Sequence, residues 1–266
     1  MKSLNEGITY NSDTDSFELD FTSNSEKCII EFSDLPLEPI NISVDNVYYF
    51  GYQFVNTDEA SSKIRTKFFN ELRFNEKFTT PENKRLFVSN ALDKLHKQIN
   101  VYKFDTIIYP KSRSYLNQYI IKILGRIVPN WEDITIELLK HLPTEIEFDW
   151  KRWEIDMKES GRFVNEAAWN QSKLAIQTLL DKIHNFDYFS IAESVKKNKY
   201  KPYFSSYLYF KDEDKQKLID TENILLIDDV TTTGSTLFEA IRNIRLINQE
   251  ARIIIFTLVG KKELHE

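Results

Sequence analysis

The residues Ile224 to Thr236 read I-L-L-I-D-D-V-T-T-T-G-S-T, and they restrict the fold more than any other stretch of the chain. The apolar run from Ile224 to Ile227 is too short for a core helix and suits a strand covered on both faces of a parallel sheet. Asp228 and Asp229 come next, where such a strand is expected to leave the sheet. In open α/β sheets, ligands bind at these carboxyl ends. Thr231, Thr232, Thr233, Ser235 and Thr236 then surround Gly234. Beyond them Leu237, Ile241, Ile244 and Ile247 recur at helical spacing, so the hydroxyl run is placed at a helix N-terminus.

Such a helix start suits a phosphate monoester. Its backbone N–H groups have no partner within the helix, and the positive end of the dipole faces the anion. The hydroxyls add donors, and Gly234 lets the backbone approach closely. A carboxylate pair beside a phosphate is repulsive unless it meets hydroxyls or a cation. The combination therefore points to a sugar phosphate whose ribose hydroxyls face Asp228 and Asp229, with magnesium nearby. The plainer alternative is a strand, a capped turn and a helix with no ligand.

Ile224 to Thr236 resembles the phosphoribosyl-pyrophosphate (PRPP) motif of type I phosphoribosyltransferases: a hydrophobic strand, two acidic residues and a T-G-x-T phosphate loop. Asp228, Asp229, Thr233, Gly234 and Thr236 all match. The resemblance implies an α/β fold with a parallel-sheet, Rossmann-like core. It also implies PRPP as substrate, Mg2+ as cofactor and a nitrogen nucleophile, expected to be a nucleobase, as acceptor. Asp228 and Asp229 would then fix the ribose and the metal's water shell. Val230, Thr231, Thr232, Thr233, Gly234, Ser235 and Thr236 would hold the 5′-phosphate.

A second strand–loop–helix unit precedes this one. Phe104 to Tyr109 reads as a short apolar strand, followed by Pro110 and the loop Lys111-Ser112-Arg113-Ser114. Leu116, Ile120, Ile121 and Leu124 then mark a helix. The loop is thereby expected at the same edge of the sheet, and its two cations and two hydroxyls make a polyanion site. By position and charge Lys111 to Ser114 is similar to the pyrophosphate loop of the family, although it lacks the glycine of some members. An ordinary basic helix cap is the other reading. Lys196 to Phe204 lies where family members carry a mobile loop that closes over PRPP. Lys199, Tyr200 and Lys201 match that place, and a solvated charge run fits them equally.

The 266 residues suffice for a large core. A formal net charge of −6 argues against a nucleic-acid partner. Cys28 is the one cysteine, so no internal disulfide can form. The first ten residues lack the apolar stretch of an ordinary signal peptide, and no apolar run approaches the roughly 18 residues of a membrane span. A cytoplasmic location is expected. The six glycines form no G-x-G-x-x-G, and Gly260-Lys261 lacks the rest of a Walker loop. His96, His141, His184 and His265 form no H-E-x-x-H, which argues against a catalytic zinc.

Residues 1–100 read as an N-terminal α+β extension, and residues 101–266 as the core. A frayed start with an edge strand is followed by strands over Cys28–Phe32 and Val47–Val55, the latter expected to break at Gly51. Leu35 to Pro39 reads as a turn, Glu59 to Leu72 as a helix with exposed cations, and Pro81 as the first residue of another helix. Strands are also expected over Ile134–Leu139 and Arg252–Val259. Pro143 to Tyr200 is an insertion in the core, with a helix over Val164–Ile183. Its Phe148-Asp149-Trp150-Lys151-Arg152-Trp153 either stacks on a base or packs the insertion on the core, and packing is favoured. The tail after Val259 is too short for a base-recognising hood. A hood is therefore expected from the first hundred residues or the insertion, as in the competence-protein-like branch of the family.

Two functions follow. One is a phosphoribosyltransferase that releases pyrophosphate, as a monomer or, like many family members, a homodimer. The other is a PRPP or nucleotide sensor with little turnover.

Overall fold

The computed structural model describes residues 7–11, 16–20, 28–32, 40–43, 46–54, 68, 70–73, 81–99, 103–112, 114–126, 128, 131–160, 165–187, 200, 203–204, 207–231 and 234–260. The strands are β1 (Gly7–Asn11), β2 (Ser16–Asp20), β3 (Cys28–Phe32), β4 (Ile40–Ser43), β5 (Asn46–Phe54), β6 (Thr106–Pro110), β7 (Thr135–Lys140), β8 (Leu208–Tyr209), β9 (Asn223–Val230) and β10 (Arg252–Gly260). The helices are α1 (Pro81–Gln98), α2 (Leu116–Leu124), α3 (Trp150–Glu159), α4 (Glu166–His184), α5 (Asp212–Ile219) and α6 (Ser235–Ile247).

The strands form one sheet in the order β2-β1-β3-β5-β10-β9-β6-β7-β8, with β4 paired to β5. Its centre, β5-β10-β9-β6-β7, is parallel throughout. The protein is therefore an α/β protein with a parallel central sheet. Burial follows from the alternation of side chains along each strand. In β9, Leu225 and Ile227 join a core cluster with Val88, Ala91, Leu92 and Leu95 of α1 and Leu116, Ile120, Ile121 and Leu124 of α2. Ile224 and Leu226 point to the opposite cluster, which holds Leu237, Ala240, Ile241 and Ile244 of α6 and Ile176, Leu180 and Ile183 of α4. Both faces of β9 are covered, as its uninterrupted apolar run requires.

Three expectations change. Strand β9 does not end before the acid pair: its ladder with β10 pairs Thr257 with Asp228 and Val259 with Val230. Strand β5 runs unbroken through Gly51, where a glycine is needed because a Cβ would stand 2.5 Å from the Cβ of Ala91. The start of the chain is not one edge strand but the antiparallel pair β1–β2, which β3 joins to β5. The first hundred residues thus extend the core sheet itself.

The aromatic stretch of the insertion is a helix start. Asp149 caps α3 by accepting from the Arg152 N–H at 2.9 Å, and Trp153 is buried and stacked on Trp169 with ring centroids 4.5 Å apart. Packing is what Trp153 does. Trp150 also packs against the core, its ring centroid 4.8 Å from that of Phe148, and its outer side lines an open groove with Glu154, Lys173, Leu174 and Gln177. The turn at Leu35–Pro39 and most of the helix at Glu59–Leu72 lie outside the described residues; residues 68 and 70–72 of that stretch are helical, and residue 73 continues the helix. Among the described residues no helix is long and apolar enough to cross a membrane.

Candidate functional site

Strand β6 pairs with β9 in parallel, Ile108 opposite Leu226, so the loop after β6 and the acids of β9 meet at one edge. Lys111 continues the ladder by donating its N–H to the Leu138 carbonyl at 2.7 Å. The chain then turns on its own hydroxyls. The Ser114 N–H donates to Ser112 Oγ at 3.3 Å, and the Leu116 N–H at the start of α2 donates to Ser114 Oγ at 3.3 Å. Ser114 is buried, and its hydroxyl also donates to Asp229 Oδ2 at 3.4 Å. The two strand–loop–helix units are thus joined by direct contact.

Asp228 is held from two sides. Its Oδ1 accepts from the Asp229 N–H at 2.9 Å and from Asn117 Nδ2 at 3.3 Å. The same Asn117 amide donates to the Pro110 carbonyl at 3.0 Å, tying α2 to the end of β6. Burial, and after it the charge of Asp229, push the Asp228 carboxyl up to about 7. Arg73 and the two hydrogen bonds pull the other way and do not win.

Asp229 is held by Arg73. The guanidinium Nε donates to Oδ2 at 2.8 Å and Nη2 to Oδ1 at 2.5 Å, a bidentate pair. The Asp229 side chain is 3% exposed and that of Arg73 is 31% exposed, so the arginine forms the lid over the carboxylate.

The phosphate-type loop follows. The Thr231 N–H donates to the Val259 carbonyl at 2.9 Å, which fixes where the chain leaves the sheet. Gly234 has φ 83°, left-handed backbone that glycine adopts without strain, and it opens α6 as the N-cap. From just before β8, Tyr207 donates its hydroxyl to the Ser235 carbonyl at 2.9 Å and shares a hydrogen bond with Thr236. Burial, and next the Glu239 carboxylate, raise the Tyr207 phenol far above its usual range, so it remains a donor.

Of the residues singled out in the sequence, Ser112, Ser114, Asp228, Asp229, Thr231, Gly234, Ser235 and Thr236 gather at this edge. Val230 is half-buried at the end of β9. Lys111 turns outward: its side chain is 58% exposed, with Nζ 4.0 Å from Glu137. Tyr200 is buried within the core cluster under α3, α4 and α6. Arg113, Thr232, Thr233, Lys199 and Lys201 lie outside the described residues. Three site residues escaped the sequence reading: Arg73, Asn117 and Tyr207. For Asn117 a signal existed, a polar residue at the start of an apolar helix face. Arg73 had none, because it is separated from Asp229 by 156 positions in a stretch of exposed charges.

Asn117 Oδ1 and Thr231 Oγ1 are buried and have no hydrogen-bond partner among the described residues. Asn117 Oδ1 belongs to the amide that contacts Asp228, so the donors there are oxygens, while both Asp229 oxygens already accept from Arg73. Such a set suits a hard cation like magnesium, held through water, and not a thiolate- or imidazole-seeking metal. The chain matches no protein-family model, and no curated protein matches it.

Proposed function

We propose that the protein is a PRPP-dependent phosphoribosyltransferase, with the edge formed by β6 and β9 as its active site. The observation that carries this reading is the contact of Ser114 with Asp229 and of Asn117 with Asp228. Through it a hydroxyl-lined anion loop, an acid pair and a helix opened by a left-handed glycine come together at one sheet edge. The core is accordingly read as that of a type I phosphoribosyltransferase.

In the reaction a nitrogen of the acceptor attacks the anomeric carbon of PRPP. The carbon–oxygen bond to pyrophosphate breaks, the electron pair leaves with that oxygen, and the acceptor's N–H proton passes to solvent. The protein's work is positioning and charge stabilisation. The Ser112 and Ser114 hydroxyls, with Arg113 of the same loop, hold the departing anion. Asp228 and Asp229 accept from the ribose hydroxyls. The backbone and hydroxyls of Thr231 to Thr236 grip the 5′-phosphate, and Tyr207 steadies the first turn of α6. Magnesium, when bound, neutralises the leaving group, and Asp228, Asp229 and Asn117 Oδ1 would hold its water shell.

Replacing both acids, Asp228→Asn with Asp229→Asn, is expected to abolish magnesium-dependent PRPP binding while the chain stays folded. Calorimetry showing unchanged affinity overturns the site. Pyrophosphate release over a panel of nucleobases separates transfer from sensing. Tight PRPP binding with no turnover on any base favours the sensor.

A further inference from the structure

Two carboxylates stand in a site read as taking a polyanion, and the recognised motif contains nothing to offset them. The structure supplies the missing charge from far away in sequence. Arg73 covers Asp229 with a two-point fork, and its partner Asp229 Oδ2 also accepts from Ser114 of the anion loop. The guanidinium and the loop thus share one carboxylate oxygen, and Arg73 is the outer, more exposed member of the ion pair. An arginine keeps its charge throughout the working pH range and matches a carboxylate at two points, which a lysine does not. Of the two cations in the Lys111–Ser114 loop, Lys111 faces Glu137 instead.

We propose that Arg73 is a positioning residue of this site, the resident counter-ion that makes the acid pair compatible with a bound polyphosphate. The inference rests on the reading of the site as one for a phosphate anion, and it adds the N-terminal region to the machinery. With Arg73 in place the Asp229–Arg73 unit is neutral, and an anion on the Ser112–Ser114 loop meets one carboxyl group. Without it the anion meets two. At the effective dielectric of a partly buried site, one unit charge several ångströms away changes anion affinity by about tenfold or more. The effect is electrostatic, so removing the opposite charge should reverse it.

The test uses the full chain and inorganic pyrophosphate, titrated calorimetrically without divalent cations, because this probe has no ribose to contact the acids. Arg73→Gln is expected to weaken pyrophosphate by about tenfold. Arg73→Lys should keep most of the affinity. Arg73→Gln combined with Asp229→Asn should recover most of what Arg73→Gln loses, because the unit is neutral again. An unchanged affinity in Arg73→Gln, or a loss that Asp229→Asn does not reverse, overturns the proposal. So does a wild type that binds no pyrophosphate. Should Arg73→Gln fail to fold, the double variant is compared with Asp229→Asn alone, which keeps the arginine without its carboxylate: a double variant about tenfold weaker is expected, and one that binds pyrophosphate as tightly as Asp229→Asn overturns the proposal. PRPP with magnesium is titrated in parallel. Wild type that takes pyrophosphate but not PRPP sinks the pentose reading and leaves Arg73 to be judged by its variants.

Discussion

Asp228 is the residue where burial and chemistry conflict. Its carboxyl is pushed up to about 7 from an ordinary 3.8, by burial first and by Asp229 second. A raised folded-state value means that the folded chain holds a proton the unfolded chain has already released. Between pH 4 and pH 7 the folded state therefore binds more protons, and stability falls as pH rises across that window, by at most about 1.4 kcal/mol per unit. Above the folded value the cost is complete and the slope vanishes. Urea unfolding from pH 4.5 to pH 8 in metal-free buffer should show this decline in the wild type and a shallower one in Asp228→Asn. Equal slopes would mean that the carboxyl is not held protonated. On the proposed reading the same property bears on function: an acid meant to accept from ribose hydroxyls would gain charge as pH rises through about 7.

At the scale of elements, the packing of α1 on the sheet depends on Gly51. A Cβ there would meet the Ala91 Cβ at 2.5 Å and the Leu258 carbonyl at 3.1 Å. Gly→Ala in a compatible strand stabilises by about 0.4–1 kcal/mol through the unfolded state. Overpacking a core costs about 1–3 kcal/mol, and here the obstacle is a helix and a strand backbone, so the clash wins. Gly51→Ala is expected to lower the melting temperature, and Ala91→Gly in the same chain to return part of the loss. A Gly51→Ala variant as stable as the wild type would show that α1 can shift at no cost. This contact also marks the limit of what was legible. The β6–α2 and β9–α6 units could be read because an apolar run, a polar turn and a helical repeat each leave a local pattern, and Asp228, Asp229, Ser112, Ser114 and Gly234 came with them. Gly51 looked like a strand breaker, since its reason lies 40 residues away on α1. Helix α3 was hidden because Trp150 and Trp153 stand next to Lys151 and Arg152, a pattern that suits a binding loop as well as a capped helix.

For the whole molecule, the described strands of the first hundred residues and those of the core share one sheet. Strand β5 pairs with β10 along nearly its whole length, Asn46 opposite Ile253 to Gln53 opposite Gly260. The Tyr48 hydroxyl is hydrogen-bonded to Thr257 Oγ1 at 2.8 Å inside the core. Such pairing across some two hundred positions leaves no trace in a local pattern, which is why β5 read as part of a separate extension. Removing residues 1–45 spares β5 and should leave a folded core. Removing residues 1–80 strips β5 and Arg73 together. It leaves β10, a strand of buried apolar residues, as a bare edge with unpaired N–H and carbonyl groups, the arrangement most prone to aggregate. The longer deletion is therefore expected to yield aggregated or loosely packed protein by size-exclusion chromatography and near-ultraviolet circular dichroism. A soluble monomer with native near-ultraviolet signal would show that β10 tolerates an open edge, and that the strands before it are an addition to the core instead of a part of it. In that event the pyrophosphate affinity of the truncated chain measures directly what the site keeps once Arg73 is gone.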